Sequence, residues 1–190
     1  MCIRARYSTD TRFVLARYGN VLASRGSVIP YFHEQIRSGG PVTITDPRMT
    51  RFLLSLENAV DVILAVVAHG RAGETYIPRV PASRITDVAK ALIESRPIEI
   101  KTIGIRPGEK LHECLVSSEE APRTYVRGDY YVVAPILPEL YDAQNYQGPP
   151  LNEAYMSSDG LLSQEGTAEL LKRHGLMLED NPQLEGEVLR

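Results

Sequence analysis

Apolar residues recur along the chain in two rhythms, and their alternation lays out a strand–helix–strand order. Val28, Ile29, Phe32 and Ile36 follow the spacing of one helix face, and Gly39-Gly40 stops the pattern. Ser27 stands where an N-cap would, and Pro30 is tolerated within the first turn. A longer helix runs from Leu56 to Ala68 behind Ser55, with Ala59, Val60, Ile63, Leu64 and Val67 predicted to face inward. A third follows Thr86, read as its cap, and turns Val88, Leu92 and Ile93 inward. A fourth covers Gln164 to Arg173, between Ser163 and His174-Gly175. Between these helices, Thr11 to Tyr18 reads as a buried strand, and Pro41 to Thr45, Glu74 to Pro78 and Pro97 to Ile103 as further strands. Arg123 to Val126 and Asp129 to Ala134 form a strand pair around Arg127-Gly128, while Leu111 to Val116 fits a strand or a short helix. The tyrosines at 125, 130 and 131 read as packing and edge residues. The alternation predicts an α/β fold with a parallel sheet.

Composition narrows the function classes. A chain of 190 residues can bury a real core, and its formal charge of −3 argues against a general nucleic-acid binder. The negative surplus gathers in residues 141–190, where it reads as a solvated face or tail. Cys2 and Cys114 make no disulfide, metal or redox spacing and read as cytosolic thiols. His33, His69, His112 and His174 are scattered, so no metal site is predicted. The longest apolar run, Ala59 to Ala68, is too short to span a membrane and is broken by Asp61. The basic start, Met1 to Arg6, has no apolar segment behind it, which argues against a signal peptide. A cytoplasmic protein without membrane or nucleic-acid partners is expected.

The densest chemistry lies in Ile105 to Glu113. Pro107-Gly108 predicts a turn that aims Arg106 and Glu109 from one bend. A guanidinium fork fits a phosphate, and a carboxylate accepts from paired hydroxyls such as those of a ribose, so the bend suits a nucleoside diphosphate. Taken alone it is equally an exposed turn with a weak local ion pair. Arg25-Gly26-Ser27 before a helix start would favour an anion, or would simply cap the helix. Asn20 is either a turn residue or a polar hook at a strand's carboxyl end. Arg51, flanked by apolar residues, either snorkels or faces a cleft.

Four motifs occur in one order: Arg17-Tyr18-Gly19-Asn20-Val21, Arg25 to Pro30, Thr43 to Phe52, and Arg106-Pro107-Gly108-Glu109-Lys110. That order closely resembles the polysaccharide-biosynthesis (capsular, CapD-like) family of extended short-chain dehydrogenases/reductases. Its members include UDP-N-acetylglucosamine 4,6-dehydratases and related 4-epimerases. The likeness runs from about Asp10 to Ala134 and is nearer the short soluble branch than the membrane-anchored one. It implies an N-terminal Rossmann domain binding NAD(P), a smaller C-terminal lobe gripping the UDP-sugar, and a homo-oligomer in the full-length enzyme. By resemblance, Arg51 and Arg106 would pair with the pyrophosphate and Glu109 would take the ribose hydroxyls. Asn20 and Ser27 would touch phosphate or sugar, and Val42 and Thr43 would run beside the uracil. Tyr18, Gly19, Asn20 and Val21 would lie near the nicotinamide.

Two family signatures are absent. The sequence contains no Gly-x-Gly, and none of its ten tyrosines has a lysine four residues later, so the Tyr-x-x-x-Lys pair is missing. The chain therefore reads as the C-terminal lobe of an extended short-chain dehydrogenase/reductase, from a truncated or split gene. Residues 1–140 would be the UDP-sugar-binding lobe with remnant Rossmann strands. Residues 141–190 would be an extension with one helix and an end disordered from Glu179. No catalytic residue is expected, and no NAD(P) binding by this chain alone. In isolation it should expose Phe13, Leu15 and Tyr76. Two alternatives to the enzyme-lobe reading stay open. One is a non-catalytic UDP-sugar-binding or assembly module beside a separately encoded Rossmann subunit. The other is a general anion-binding domain.

Overall fold

The computed structural model describes residues 11–24 and 26–180. Cys2, the basic start Met1 to Arg6, Arg25 and the end beyond Asp180 lie outside the described residues, and so do the expectations attached to them. In chain order the elements are β1 (Leu15–Ala16), α1 (Val28–Arg37), β2 (Val42–Ile44), β3 (Thr50–Phe52), α2 (Leu56–His69), β4 (Thr75–Pro78) and β5 (Ala82–Arg84). There follow α3 (Ile85–Ile93), β6 (Ile100–Thr102), β7 (Cys114–Val116), β8 (Thr124–Arg127), β9 (Tyr130–Val133), β10 (Tyr155–Met156) and α4 (Gln164–Arg173). The chain divides into two compact units, each built from three segments. One comprises the residues up to Tyr18 with Leu56–Val80 and Cys114–Met156; the other comprises Gly19–Ser55, Pro81–Glu113 and the residues from Ser157 on.

The first unit is organised on a mixed sheet in the order β1-β4-β9-β8. β1 runs parallel to β4, with Leu15 opposite Thr75, and β9 is antiparallel to both β4 and β8. α2 packs on β1 and β4. The expected buried strand from Thr11 to Tyr18 shrinks to two residues, and Leu15 is 43% exposed, because β1 is paired on one edge only among the described residues. The inward face of α2 also differs from expectation. Ala59 and Val62 are buried, whereas Val60, Ile63, Leu64 and Val67 are exposed. The helix is apolar on more than one side, so spacing alone left its orientation open. Tyr76, expected to be exposed, is 1% exposed, because the Arg127 guanidinium lies over its ring and Tyr130 packs beside it at 5.8 Å.

That coverage belongs to a buried ionic cluster. Glu74 is fully buried and accepts both Arg127 Nη1 (2.9 Å) and Nη2 (2.8 Å), with the Tyr146 hydroxyl donating at 3.0 Å and the Arg71 amide at 2.9 Å. Burial and the neighbouring carboxylate push the Tyr146 phenol well above its ordinary range. Tyr125 stacks on Tyr146 at 4.9 Å and Tyr131 meets Tyr155 edge-on, the packing roles expected of these tyrosines. A buried carboxylate is tolerated only when its partners are present. Arg127→Met is therefore expected to destabilise the chain by about 3 kcal/mol in urea unfolding, and the double variant with Glu74→Met by much less.

The second unit holds an apolar core in which α1 contributes Ile29, Phe32 and Ile36, β2 contributes Val42 and Ile44, and α3 contributes Val88, Ala89 and Leu92. β2 pairs in parallel with β6, Val42 opposite Ile100, and β3 pairs antiparallel with β5, Thr50 opposite Arg84. α3 begins at Ile85 after Arg84, one turn's edge earlier than the Thr86 cap predicted, because the Ile85 amide bonds the Met49 carbonyl and starts the helix there. α4 has the expected bounds, and the Ser163 hydroxyl accepts the Gly166 amide as its cap. Leu171, Leu176 and Met177 close the core against α3, so α4 and the turn after it contribute to this unit's interior. His33 is buried in α1, and burial first, then the Arg37 charge, lowers its pKa from the ordinary 6.5. The unfolded chain then binds a proton that the folded chain resists, so stability should fall as pH drops below about 6.5. His33→Leu should flatten that fall when thermal melts are compared between neutral and mildly acidic pH.

Candidate functional site

The second unit encloses a cavity of about 1230 Å³. Ligand pockets for small molecules run to roughly 300–1,000 Å³, so there is room for an extended ligand. Its lining includes Asn20, Val21, Ser27, Thr43, Arg51, Arg106 and Glu109, seven of the residues singled out in the sequence.

The start of α1 forms one wall. Ser27 has the extended backbone of an N-cap, but its side chain makes no cap bond, and among the described residues its buried hydroxyl has no partner. The Val28 and Ile29 amides have no intrahelical acceptor by the geometry of a helix start, and the first turn carries no acidic residue. The helix dipole therefore meets the cavity with its positive end. In the same lining, Ala23 holds a left-handed φ of +54°, a conformation that costs a residue with a Cβ of the order of 1–3 kcal/mol.

The bend at residues 106–109 forms as the sequence predicts. The Glu109 amide bonds the Arg106 carbonyl at 3.1 Å, and Gly108 takes φ +88°, as the third position of a type II turn requires. The local ion pair does not form, however. Glu109 Oε2 accepts the Arg106 backbone amide at 3.0 Å, and among the described residues the Arg106 guanidinium has no acidic partner. β3 supplies Arg51, whose Nη1 donates to the Thr50 carbonyl at 2.7 Å and the Leu111 carbonyl at 3.2 Å.

Thr43 and Val42 part company. Thr43 lines the cavity, its amide donating to Gln35 Oε1 at 2.9 Å and its hydroxyl accepting Gln35 Nε2 at 2.7 Å, while Val42 points into the core and is not part of the lining. The alternation of a strand separates them. Val21, next to Asn20, is held by a bridge to β3's neighbour Leu54, where the Leu22 amide meets the Leu54 carbonyl at 2.7 Å. Tyr18 belongs to the first unit and is exposed. Arg48 holds the Asp46 carboxyl down at about 2, a pair on the surface outside the lining.

Several residues at the site escaped sequence reasoning. Glu113 lies 3.6 Å from Arg51 Nε, and the buried Ser157 hydroxyl accepts the Glu113 amide at 2.8 Å and meets Thr50 Oγ1 at 2.7 Å. The Thr50 hydroxyl also bonds His112 Nδ1 at 2.8 Å. Burial pushes the Glu113 carboxyl above its ordinary value, with Arg51 opposing. Gln35 could have been found from its place on the polar flank of α1; nothing local marks Ser157. Among the described residues no group of three or more His, Cys, Asp or Glu could hold a metal ion. Of the four residues expected near the nicotinamide, Asn20 and Val21 line the cavity, and Tyr18 and Gly19 do not.

The chain belongs to the family described as polysaccharide biosynthesis protein, which it matches over residues 1–135. It is 50% identical over 130 residues to a UDP-glucose 4-epimerase of Rickettsia rickettsii, covering 67% of this chain and 38% of that one. It is 47% identical over 129 residues to an inverting UDP-N-acetylglucosamine 4,6-dehydratase of Campylobacter jejuni, covering 67% of this chain and 38% of that one. The chain thus spans about two fifths of the length of these relatives. Among solved structures, the X-ray structure of Pen from Bacillus thuringiensis superposes with a TM-score of 0.81 at 30% identity, covering 92% of this chain and 54% of that one. The family expected from the four motifs is therefore the one found, and the fold is mixed α/β with a partial, Rossmann-like sheet in which, instead of the all-parallel pairing expected, only β1 and β4 run parallel. Among the described residues no helix is long and apolar enough to cross a membrane.

Proposed function

We propose that this chain is the UDP-sugar-binding lobe of a cytoplasmic nucleotide-sugar dehydratase or epimerase, acting on UDP-N-acetylglucosamine or a close relative. The single observation that carries this reading is the convergence, in one cavity, of an open helix start, two arginines and a carboxylate. Two negatively charged phosphates between Arg51, Arg106 and the α1 amides would satisfy the donors there, and Glu109 would accept from the ribose hydroxyls. Thr43 would flank the uracil, with Val42 contributing backbone only, and Asn20 and Ser27 would reach phosphate or sugar. The relatives' names supply the substrate class, and their chemistry would be transient oxidation at the sugar's C4 by NAD(P) with return of the hydride. The cofactor loop and the Tyr-x-x-x-Lys pair would come from polypeptide other than this sequence.

By titration calorimetry on the 190-residue chain, Arg51→Ala and Arg106→Ala should each weaken UDP by about 1.5 kcal/mol or more, the scale of a lost charge-assisted bond. Glu109→Gln should cost UDP more than 2′-deoxy-UDP. Unchanged UDP affinity in both arginine variants would sink the reading, and phosphate competing as well as UDP would favour a general anion site.

A second reading, a non-catalytic UDP-sugar or assembly module working with a separately encoded Rossmann subunit, is favoured by the first unit's surface. The outer edge of β1 and the exposed stripe Leu56, Val60, Ile63, Leu64 and Val67 on α2 are surfaces that a parallel sheet and its helices normally cover. Purified alone, the chain is expected to self-associate in light scattering, to bind no NAD(P) in fluorescence titration, and to leave UDP-N-acetylglucosamine unconverted by NMR. A stable monomer that converts the sugar would overturn both readings of the chain as one part of a larger enzyme.

A further inference from the structure

Arg51 lines the cavity with a side chain that the protein holds on two sides. Nη1 is committed to the Thr50 and Leu111 carbonyls at 2.7 and 3.2 Å, and Nε faces Glu113 Oε1 at 3.6 Å. This leaves Nη2 without a protein partner among the described residues. A guanidinium fixed at one nitrogen and steered at another presents the third in one direction, which is how a fork is prepared for an anion before the anion arrives.

The carboxylate that does the steering is itself seated with care. The Ser157 hydroxyl accepts the Glu113 amide at 2.8 Å and donates to the Thr50 carbonyl at 3.2 Å, and the Ser157 amide donates to the Glu113 carbonyl at 2.8 Å. Ser157 is fully buried, so no water competes for these bonds. The far oxygen of Glu113 meets the Phe52 amide at 3.4 Å. A side chain at Gly19 would put its Cβ 3.1 Å from that same oxygen and 3.1 Å from Phe52 Cβ, so the glycine keeps the carboxylate's berth clear. Glu113 is therefore boxed in by backbone, by Ser157 and by Arg51, and it does not itself line the cavity.

We propose that Glu113, seated by Ser157, is the positioning residue that aims the Arg51 guanidinium at the diphosphate of a nucleoside-diphosphate ligand. This rests on the binding reading above. It gives the segment after Met156 a part in the site, through a serine that no periodicity or motif marks. Glu113 is a half-buried carboxylate beside a cavity proposed to take an anion, and its surroundings keep its charge from opposing that role. The charge is matched by Arg51 on one side and turned away from the cavity on the other.

The test is a thermodynamic cycle read with two ligands, UDP and uridine, by titration calorimetry on the full 190-residue chain. Glu113→Gln keeps the shape and removes the charge; it should weaken UDP about tenfold and leave uridine within about twofold, because uridine lacks the diphosphate that Arg51 would meet. In an Arg51→Ala background, the same substitution should cost UDP nothing further. Ser157→Ala leaves the carboxylate and removes its seat, so it should shift UDP in the same direction by a smaller factor, and it carries the test if Glu113→Gln does not fold. Equal losses for UDP and uridine, or an undiminished loss in the Arg51→Ala background, would overturn the positioning role while leaving the binding reading intact. An Arg51→Ala variant that binds UDP as tightly as the parent chain would overturn both.

Discussion

Parallel pairing of Val42–Ile44 with Ile100–Thr102 is the constraint on which the second unit's cavity depends. The pairing runs past the strands, since the Ile103 amide meets the Ile44 carbonyl at 2.9 Å and the Gly104 amide meets the Thr45 carbonyl at 3.1 Å. Only Ile105 then separates this ladder from the bend that begins at Arg106 and ends at Glu109. A turn that would otherwise swing on a long loop is delivered to the mouth formed by α1 and β3. What holds β2 in place is apolar burial: Val42 and Ile44 sit in the core with Phe32 and Leu92. The site chemistry thus hangs on a packing contact made by residues that do none of it.

The two arginines of the lining are held in opposite ways. Arg51 springs from a paired strand and spends its donors on fixed carbonyls, whereas Arg106 stands exposed at a turn with no acidic partner among the described residues. A preorganised group costs little to use and selects geometry; a free one reaches further and loses more side-chain freedom when it engages. One cavity contains both kinds, a fixed reference and an adjustable clasp.

Much of this was legible in the sequence, and the parts that were not share a physical cause. Helices whose apolar face is narrow, such as α1 and α4, appear with their expected faces or caps, and the Pro107-Gly108 turn follows from the φ each residue allows. The spacing in α2 does not fix its inward face, because a helix apolar on several sides gives no single direction. The burial of Tyr76 is invisible locally, because its cover, Arg127, lies on a strand far along the chain. Gln35, Glu113 and Ser157 left no trace in periodicity. Polar side chains become structural only through partners brought near by the fold, and a sequence pattern records repetition, not encounter.

Ser157 and the residues behind it bear on how the family should be delimited. The family match covers residues 1–135, yet Thr167 is fully buried with its hydroxyl 2.7 Å from Ser83 Oγ, and Leu171 fills the interior against α3. The superposition on Pen spans 92% of the chain, so it takes in part of this tail as well. A boundary drawn from sequence likeness leaves out residues that fill the second unit's core. An expression fragment trimmed to that boundary would leave one hydrophobic core without Leu171, Leu176 and Met177, and a chimera joined there would have to supply their replacements.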